Sequence, residues 1–365
     1  MTDAEILALH RQMVAIPSVS GEEGPLCNFL QSRLEALGAT VRRFGNTLAA
    51  WVGEGPVFCL NSHLDTVPPS AAWTVPPYEV HVMDDGRVVG LGSNDAKASV
   101  AAMTGAFARL SKAGPPTGLR LLLVLSAQEE VGGKGTEAVV PELDRLGMKP
   151  DAVVVGEPTG LDVAVAQKGL LILELEAEGT PCHAAHGRAM GARNAIRELA
   201  RDLTALEEVS LGPPHPVLGP VTMEPTVLQG GTARNVVPGG ASCILDVRTV
   251  PGPDAEKLVA RLRGAVSGTL HVLSDRLGPY ETDPAHPLVR AALAARPASR
   301  VIGSGGLSDL VFFGGIPGIK VGPGRTERSH TPDEFVFESE ILEGASFYER
   351  LVRESRSLLR AGGAA

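Results

Sequence analysis

Short, mostly apolar runs, each followed within a few residues by an acid or an imidazole, constrain this chain more than any other feature. Val57–Leu60 leads to His63 and Asp65 in "NSHLDTVPPS", and Leu119–Leu125 leads to Glu129 and Glu130 in "LRLLLVLSAQEE". Ala152–Val155 leads to Glu157 in "DAVVVGEPT", and the run "GIPGIKVGPG" precedes His330. Runs that are apolar throughout, rather than alternating, fit strands buried on both faces. Helical patterns separate them, as at Leu26, Phe29, Leu30, Leu34 and Leu37, with Gly38 as a stop. The expected fold class is α/β, with a mostly parallel sheet covered on both faces. In open sheets of this kind ligands bind beyond the carboxyl ends of the strands. The acids and imidazoles fall there.

Between residues 169 and 277 the rhythm changes. "LLILELEAEG" alternates, with Leu171, Leu173, Leu175 and Ala177 on one face and Glu174, Glu176 and Glu178 on the other. A helical pattern follows at Ile196, Leu199, Leu203 and Leu206, then strand-like "VTMEPTVLQGG" and "ASCILDVRTV". A second helical pattern at Leu258, Leu262 and Val266 leads to "TLHVLSD". The order is β-α-β-β-α-β, the split βαβ or ferredoxin-like arrangement. Residues 1–168 and 278–365 are expected to form the α/β domain, and 169–277 an inserted α+β domain whose spare sheet face or edge is a candidate contact for a lid or a dimer.

The net charge of −9 over 365 residues, with no basic run, disfavours a nucleic-acid surface. No stretch is apolar for long enough to span a bilayer. The start, MTDAEILALHRQM, reads as an amphipathic helix (Ile6, Leu9, Met13) rather than a signal peptide. The four cysteines, Cys27, Cys59, Cys182 and Cys243, lack CxxC spacing, which fits a reducing cytoplasm.

Singly, the polar residues at the strand ends have ordinary explanations. Asp95 in "GLGSNDAKAS" suits the cap of a helix beginning near Ala98. Glu129 and Glu130 suit a solvated turn, Glu157 a loop, and His330 in "RSHTPDE" a surface loop. Together, two histidines and several carboxylates converge on one edge of one expected sheet. So many carboxylates would repel and raise each other's pKa values, and divalent cations remove that cost. Imidazole with carboxylate suits zinc better than magnesium or calcium. Five ligands exceed one tetrahedral ion and suit two ions sharing a carboxylate, about 3.5–4 Å apart. His63 and Asp65, two apart on a strand, share a face, so the carboxylate can orient the imidazole.

His63-x-Asp65, Asp95-x-Lys97, Glu129-Glu130, "GEPT" around Glu157 and "SHTPDE" around His330 stand in a familiar order and spacing. The chain resembles the acetylornithine deacetylase and succinyl-diaminopimelate desuccinylase family of two-zinc amidohydrolases and peptidases over nearly its whole length, including "IPSVSGEEG" and the inserted domain. The resemblance implies two Zn2+ ions per subunit, with Co2+ or Mn2+ able to substitute. Asp95 would bridge them, His63 and Glu157 would complete one, and Glu130 and His330 the other. Asp65 would hold His63, and Glu129 would be the general base for an attacking water. In "EGTPCHAAHG", His183 matches a histidine that reaches the active site of a partner subunit as an oxyanion donor, ahead of its neighbour His186. Asn235 in "ARNVVP", Arg248 in "LDVRT" and Gly306 in "SGGLSD" match substrate-binding positions. A homodimer through the lid domain is implied with them. Ala98 departs from a family glycine, and Leu307 from a family threonine.

"HLDTVP" followed by Trp73 looks like the acetylornithine deacetylase branch. The implied reaction is hydrolysis of an N-acyl amino acid such as N-acetylornithine, a step of arginine biosynthesis. Rivals are N-acetylcitrulline, succinyl-diaminopimelate or an acyl-lysine of lysine biosynthesis, and dipeptides. An acetyl needs a small apolar slot; a succinyl needs a cation, for which Lys97, Arg188, Arg325 and Arg328 are candidates. From other classes, a non-catalytic metal-binding relic would be free to lose Glu129, which is present. A nucleotide-binding oxidoreductase would need a GxGxxG between strand and helix, which is lacking.

Overall fold

The computed structural model describes residues 1–114 and 118–361. The chain divides into two compact units: Met1–Val165 with Glu281–Gly303 and Ser308–Ala365, and Ala166–Tyr280 with Ser304–Leu307.

In the first unit the apolar runs become strands. Val57–His63 is buried at every position, and Arg120–Ser126 at every position but its first. They pair in parallel, Cys59 opposite Leu122 and His63 opposite Ser126. Ala152–Val155 joins the other side of Val57–His63 in parallel, and Gly318–Lys320 follows it, also parallel. Phe58, Leu60, Leu121 and Leu123 share a core with Met103 and Phe107 of the helix Lys97–Lys112 and with Tyr348 and Leu351 of the helix Glu338–Ala361. The alternate residues Cys59, Leu122 and Val124 are fully buried as well. Burial on both faces is the reason these strands are continuously apolar.

Antiparallel pairs flank this parallel core. Thr40–Phe44 pairs antiparallel with Thr47–Gly53, which pairs antiparallel with Arg120–Ser126. Gly318–Lys320 meets Val163–Gln167 in antiparallel register. At the first edge the cause is local. Gly45 and Asn46 alone connect the two strands, and so short a loop permits a hairpin but no crossover.

Local signals set the helix ends. Thr2 and Glu5 form a capping box at the start of the helix Asp3–Val14. The helix Gly24–Ala36 ends ahead of Gly38, whose φ of +78° is the left-handed stop. Ala98 is fully buried in the core, so the methyl group is accommodated where the family often has glycine.

In the second unit four antiparallel strands run in the order Thr222–Gly230, Gly240–Thr249, Gly169–Glu178, Thr269–Leu277. The helices Ala195–Glu207 and Ala255–Ala265 begin at Asn194 and Asp254, whose side chains accept backbone N–H groups. Leu171, Leu173 and Leu175 pack with Leu199, Leu206, Leu258 and Leu262. The intervening Glu176 and Glu178 are exposed. This is the split βαβ order, within an α/β chain. Cys27, Cys59 and Cys243 are buried, Cys182 is half-buried, and all are free. Among the described residues no helix is long and apolar enough to cross a membrane.

His10, fully buried in the first helix, has Nε2 2.8 Å from the Ser93 carbonyl oxygen. Burial pushes it from its ordinary 6.5 down to about 4. Between these values the unfolded chain binds a proton that the folded chain refuses. Stability therefore falls as the pH drops through this window, by roughly 3 kcal/mol from this residue. Urea unfolding of His10→Gln and wild type at about pH 7 and about pH 4.5 should show the stability difference shifting by roughly 2–3 kcal/mol in the variant's favour on acidification. An unchanged difference would contradict the assignment.

Candidate metal centre

The polar residues at the strand ends meet around Asp95. His63 ends its strand with Nε2 3.1 Å from Asp95 Oδ1 and 3.8 Å from Glu157 Oε1. On the other side of the same carboxylate, His330 Nε2 lies 3.9 Å from Asp95 Oδ2 and 2.9 Å from Glu130 Oε1. Ligand atoms of His63, Asp95 and Glu157 lie within 4.8 Å of one another, as do those of Asp95, Glu130 and His330. Asp95 belongs to both groups, one oxygen towards each. A third group, His63 with Glu129 and Glu130, meets the same limit, so Glu129 stands at the centre's edge.

Asp65 holds more than His63. Its carbonyl oxygen lies 3.0 Å from His63 Nδ1, and its carboxylate Oδ1 3.5 Å from that nitrogen. The carboxylate is given chiefly to the next turn, where Oδ1 accepts the Glu129 N–H at 3.0 Å and Oδ2 the Glu130 N–H at 3.1 Å. One buried aspartate thus positions a histidine by its backbone and a pair of glutamates by its side chain. The motif "IPSVSGEEG" braces the same region. Ser18 donates to the Leu64 carbonyl, Ser20 donates to Asp65 Oδ2 at 2.7 Å, and Glu23 accepts the Gln128 N–H. Gly135 lets the following helix approach, because a Cβ there would sit 2.2 Å from the Ala127 carbonyl oxygen. Ser20, Glu23 and Asp309 were not singled out from sequence; for Ser20 and Glu23 the available signal was the motif itself. Asp309 is fully buried and accepts from Ser126 Oγ and Thr136 Oγ1 at 2.5 and 2.6 Å.

The electrostatics fit divalent cations. Burial and the Asp95 carboxylate push Glu157 up to about 8, and its buried Oε1 has no hydrogen-bond partner. Burial, then Glu157, pushes Glu129 well above its ordinary range. Burial opposes a charged His63, but Asp65 and Asp95 outweigh it and raise that imidazole. The hydrogen bond to Glu130 lifts His330 to about 9. Protons thus stand in for the positive charge that a bound metal would supply to these carboxylates and imidazoles. The donor set of imidazole and carboxylate, and the partnerless Glu157 oxygen, fit a pair of cations with Asp95 between them.

Two of the four cations proposed for a succinyl carboxylate have internal partners. Lys97 is buried and donates to the Met13 and Ile16 carbonyls, both at 3.0 Å. Arg328 pairs with Glu340 at 2.7 Å and lies over the Phe335 and Phe337 rings. Arg188 and Arg325 are exposed.

The remaining site candidates lie in the second unit. His183 is exposed, its ring 5.6 Å from that of His186, and its backbone bridges to Val236 beside Asn235. Arg248 is forked onto Asp246, at 2.7 and 3.0 Å. The Gly306 carbonyl accepts from Ser304 Oγ at 3.1 Å.

Residues 59–354 match the model of Peptidase family M20/M25/M40. The chain belongs to that family and is an amide-bond hydrolase. A succinyl-diaminopimelate desuccinylase from Phenylobacterium zucineum is 30% identical, covering 95% of this chain and 97% of its own. Among solved structures, aminopeptidase PepT from Bacillus cereus aligns with a TM-score of 0.80 at 20% identity, over 97% of this chain and 99% of its own. A Bacillus subtilis protein described as a dinuclear metal binding peptidase of the same family aligns with a TM-score of 0.74 at 16% identity, over 98% of each chain. At these identities the two structures establish the fold.

Loading the metal-free chain with Zn2+ should therefore displace protons from Glu157 and the two histidines. Calorimetry at about pH 7 in buffers of different ionisation enthalpy should read net proton release, with affinity strengthening as the pH rises. Binding without proton release would contradict this electrostatic account.

Proposed function

We propose that the chain is a two-zinc hydrolase of N-acyl amino acids, working as a homodimer in the cytoplasm, with N-acetylornithine-type deacetylation in arginine biosynthesis as the leading reaction. The observation that carries the metal reading is Asp95, with one oxygen towards His63 and Glu157 and the other towards Glu130 and His330. Two bound zinc ions would supply an acidified water and polarise an amide carbonyl.

The chain's own residues do the rest. Glu129, on a turn fixed by Asp65, takes a proton from the attacking water and returns it to the departing amine. Its raised proton affinity suits it to hold that proton between the two steps. His183 donates a hydrogen bond to the developing oxyanion in a second copy of the chain. Asn235, Gly306 and Arg248 bind the substrate's amino-acid end, and Arg248 must then exchange Asp246 for the substrate carboxylate. The free thiols suit a reducing compartment.

The internal partners of Lys97 and Arg328, and Leu307 in place of a hydroxyl, favour a short uncharged acyl group. The second reading is a desuccinylase of lysine biosynthesis. It is favoured by the 30% identical relative that bears that name, and it would draw on Arg188 or Arg325.

Purified protein assayed on N-acetylornithine, N-succinyl-diaminopimelate and dipeptides should turn over the acetyl substrate fastest. Preference for the succinyl compound would install the second reading, and no turnover of any acyl amino acid would sink both. Glu129→Gln should keep its metals and lose about 10²–10⁴-fold in kcat; loss of metal instead would mean that the two adjacent glutamates exchange roles. Mixed dimers of His183→Ala with a metal-site variant should regain part of the activity. No regain from verified mixed dimers would confine His183 to its own chain.

A further inference from the structure

Asp95 lies in a turn, without a strand ladder to fix it. The turn is gripped instead by Glu334, a side chain 2% exposed that lies four residues beyond His330. Glu334 Oε1 accepts the Asn94 and Asp95 N–H groups, both at 2.8 Å, and Oε2 accepts the Gly92 N–H at 3.2 Å. Its backbone carbonyl accepts the Gly90 N–H at 3.0 Å and Ser93 Oγ at 3.1 Å.

On the opposite side of the turn, His10 Nε2 donates to the Ser93 carbonyl. Lys97, just past the turn, is tied to the Met13 and Ile16 carbonyls. One turn carbonyl, that of Ser93, is thus held from the N-terminal helix, and the turn's N–H groups are held from the C-terminal segment. A carboxylate buried next to the carboxylate of Asp95 is costly, and packing alone would be served by an apolar residue. What the carboxylate uniquely offers is two acceptor oxygens and no donor. An amide would point its NH2 at a backbone N–H.

We propose that Glu334 is a positioning residue for the metal centre: it sets where Asp95 presents its two oxygens and locks that position to the segment carrying His330. The proposal rests on the metal-centre reading and deepens it. It accounts for the acid that ends "SHTPDE", a motif whose histidine alone was given a role from sequence.

The test titrates Co2+ into metal-free wild type, Glu334→Gln and a core control, Leu34→Ala, following visible absorption and chelator competition. Glu334→Gln should bind roughly 10–100-fold more weakly, with kcat lowered, KM little changed and kcat recovering in part as Co2+ is raised. The control, destabilised but remote, should bind as wild type does. If Glu334→Gln does not fold, Glu334→Asp is read in the same way, since it keeps the charge but draws the oxygens back. Wild-type Co2+ affinity in the Glu334 variant would overturn the proposal alone. Equal weakening in Leu34→Ala would reduce Glu334 to general stability and overturn it too. A wild-type chain that binds no Co2+ would overturn the metal reading and the clamp with it.

Discussion

Like charge crowded out of water is the constraint on which the rest of this structure depends. Glu129 and Glu157, which follow buried strands, are brought against Asp95 on its turn, with His63 and His330 as the nearest countercharge. Burial first, and then a neighbouring carboxylate, makes Glu157 and Glu129 costly to ionise, while His63 and His330 favour the charged form of Asp95. The chain could relieve that cost by opening the site to water or by replacing the acids. It keeps Glu157 buried and Asp95 and Glu129 half-buried. The parallel core makes that possible for His63, Glu129 and Glu157: adjacent strands end at one edge, so these side chains arrive at one place, and turns bring Asp95 and His330 to them.

The acids are fixed by backbone hydrogen bonds rather than by regular structure. Asp65 grips the N–H groups of Glu129 and Glu130, while Ser20 and Glu23 brace Asp65 and Gln128 in turn. Two of the non-glycine residues with left-handed backbone, Gln128 and His330, lie beside or within the centre, with φ of 60° at both. Strain of this kind persists only where the surroundings over-determine it. The bracing by Glu23 at Gln128 and the pairing of His330 with Glu130 supply such surroundings.

The sequence was legible where a physical pattern runs along the chain. Continuous apolar runs announced strands covered on both faces, and the alternation from Leu171 to Glu178 announced a sheet with one covered face. Acids and imidazoles just past those runs announced where the site would lie. What stayed hidden was set by a short turn and by contacts made across the chain. The antiparallel edge follows from a two-residue loop between Thr40–Phe44 and Thr47–Gly53, which the apolar pattern does not encode. Asp65 gives most of its carboxylate to two backbone N–H groups, and contacts to backbone leave no residue pattern to read. Lys97 and Arg328 looked available in the sequence because nothing in it shows that carbonyls, Glu340 and two phenyl rings would claim them. The Arg248–Asp246 pair was foreshadowed, since residues two apart on a strand share a face.

Crystals grown with zinc and measured on both sides of the zinc absorption edge test the central claim most directly. The account predicts two anomalous peaks roughly 3.5–4 Å apart, one between His63 and Glu157, the other between Glu130 and His330, with the Asp95 carboxylate shared between them. A single peak, or none at this cluster while zinc binds elsewhere, would contradict it.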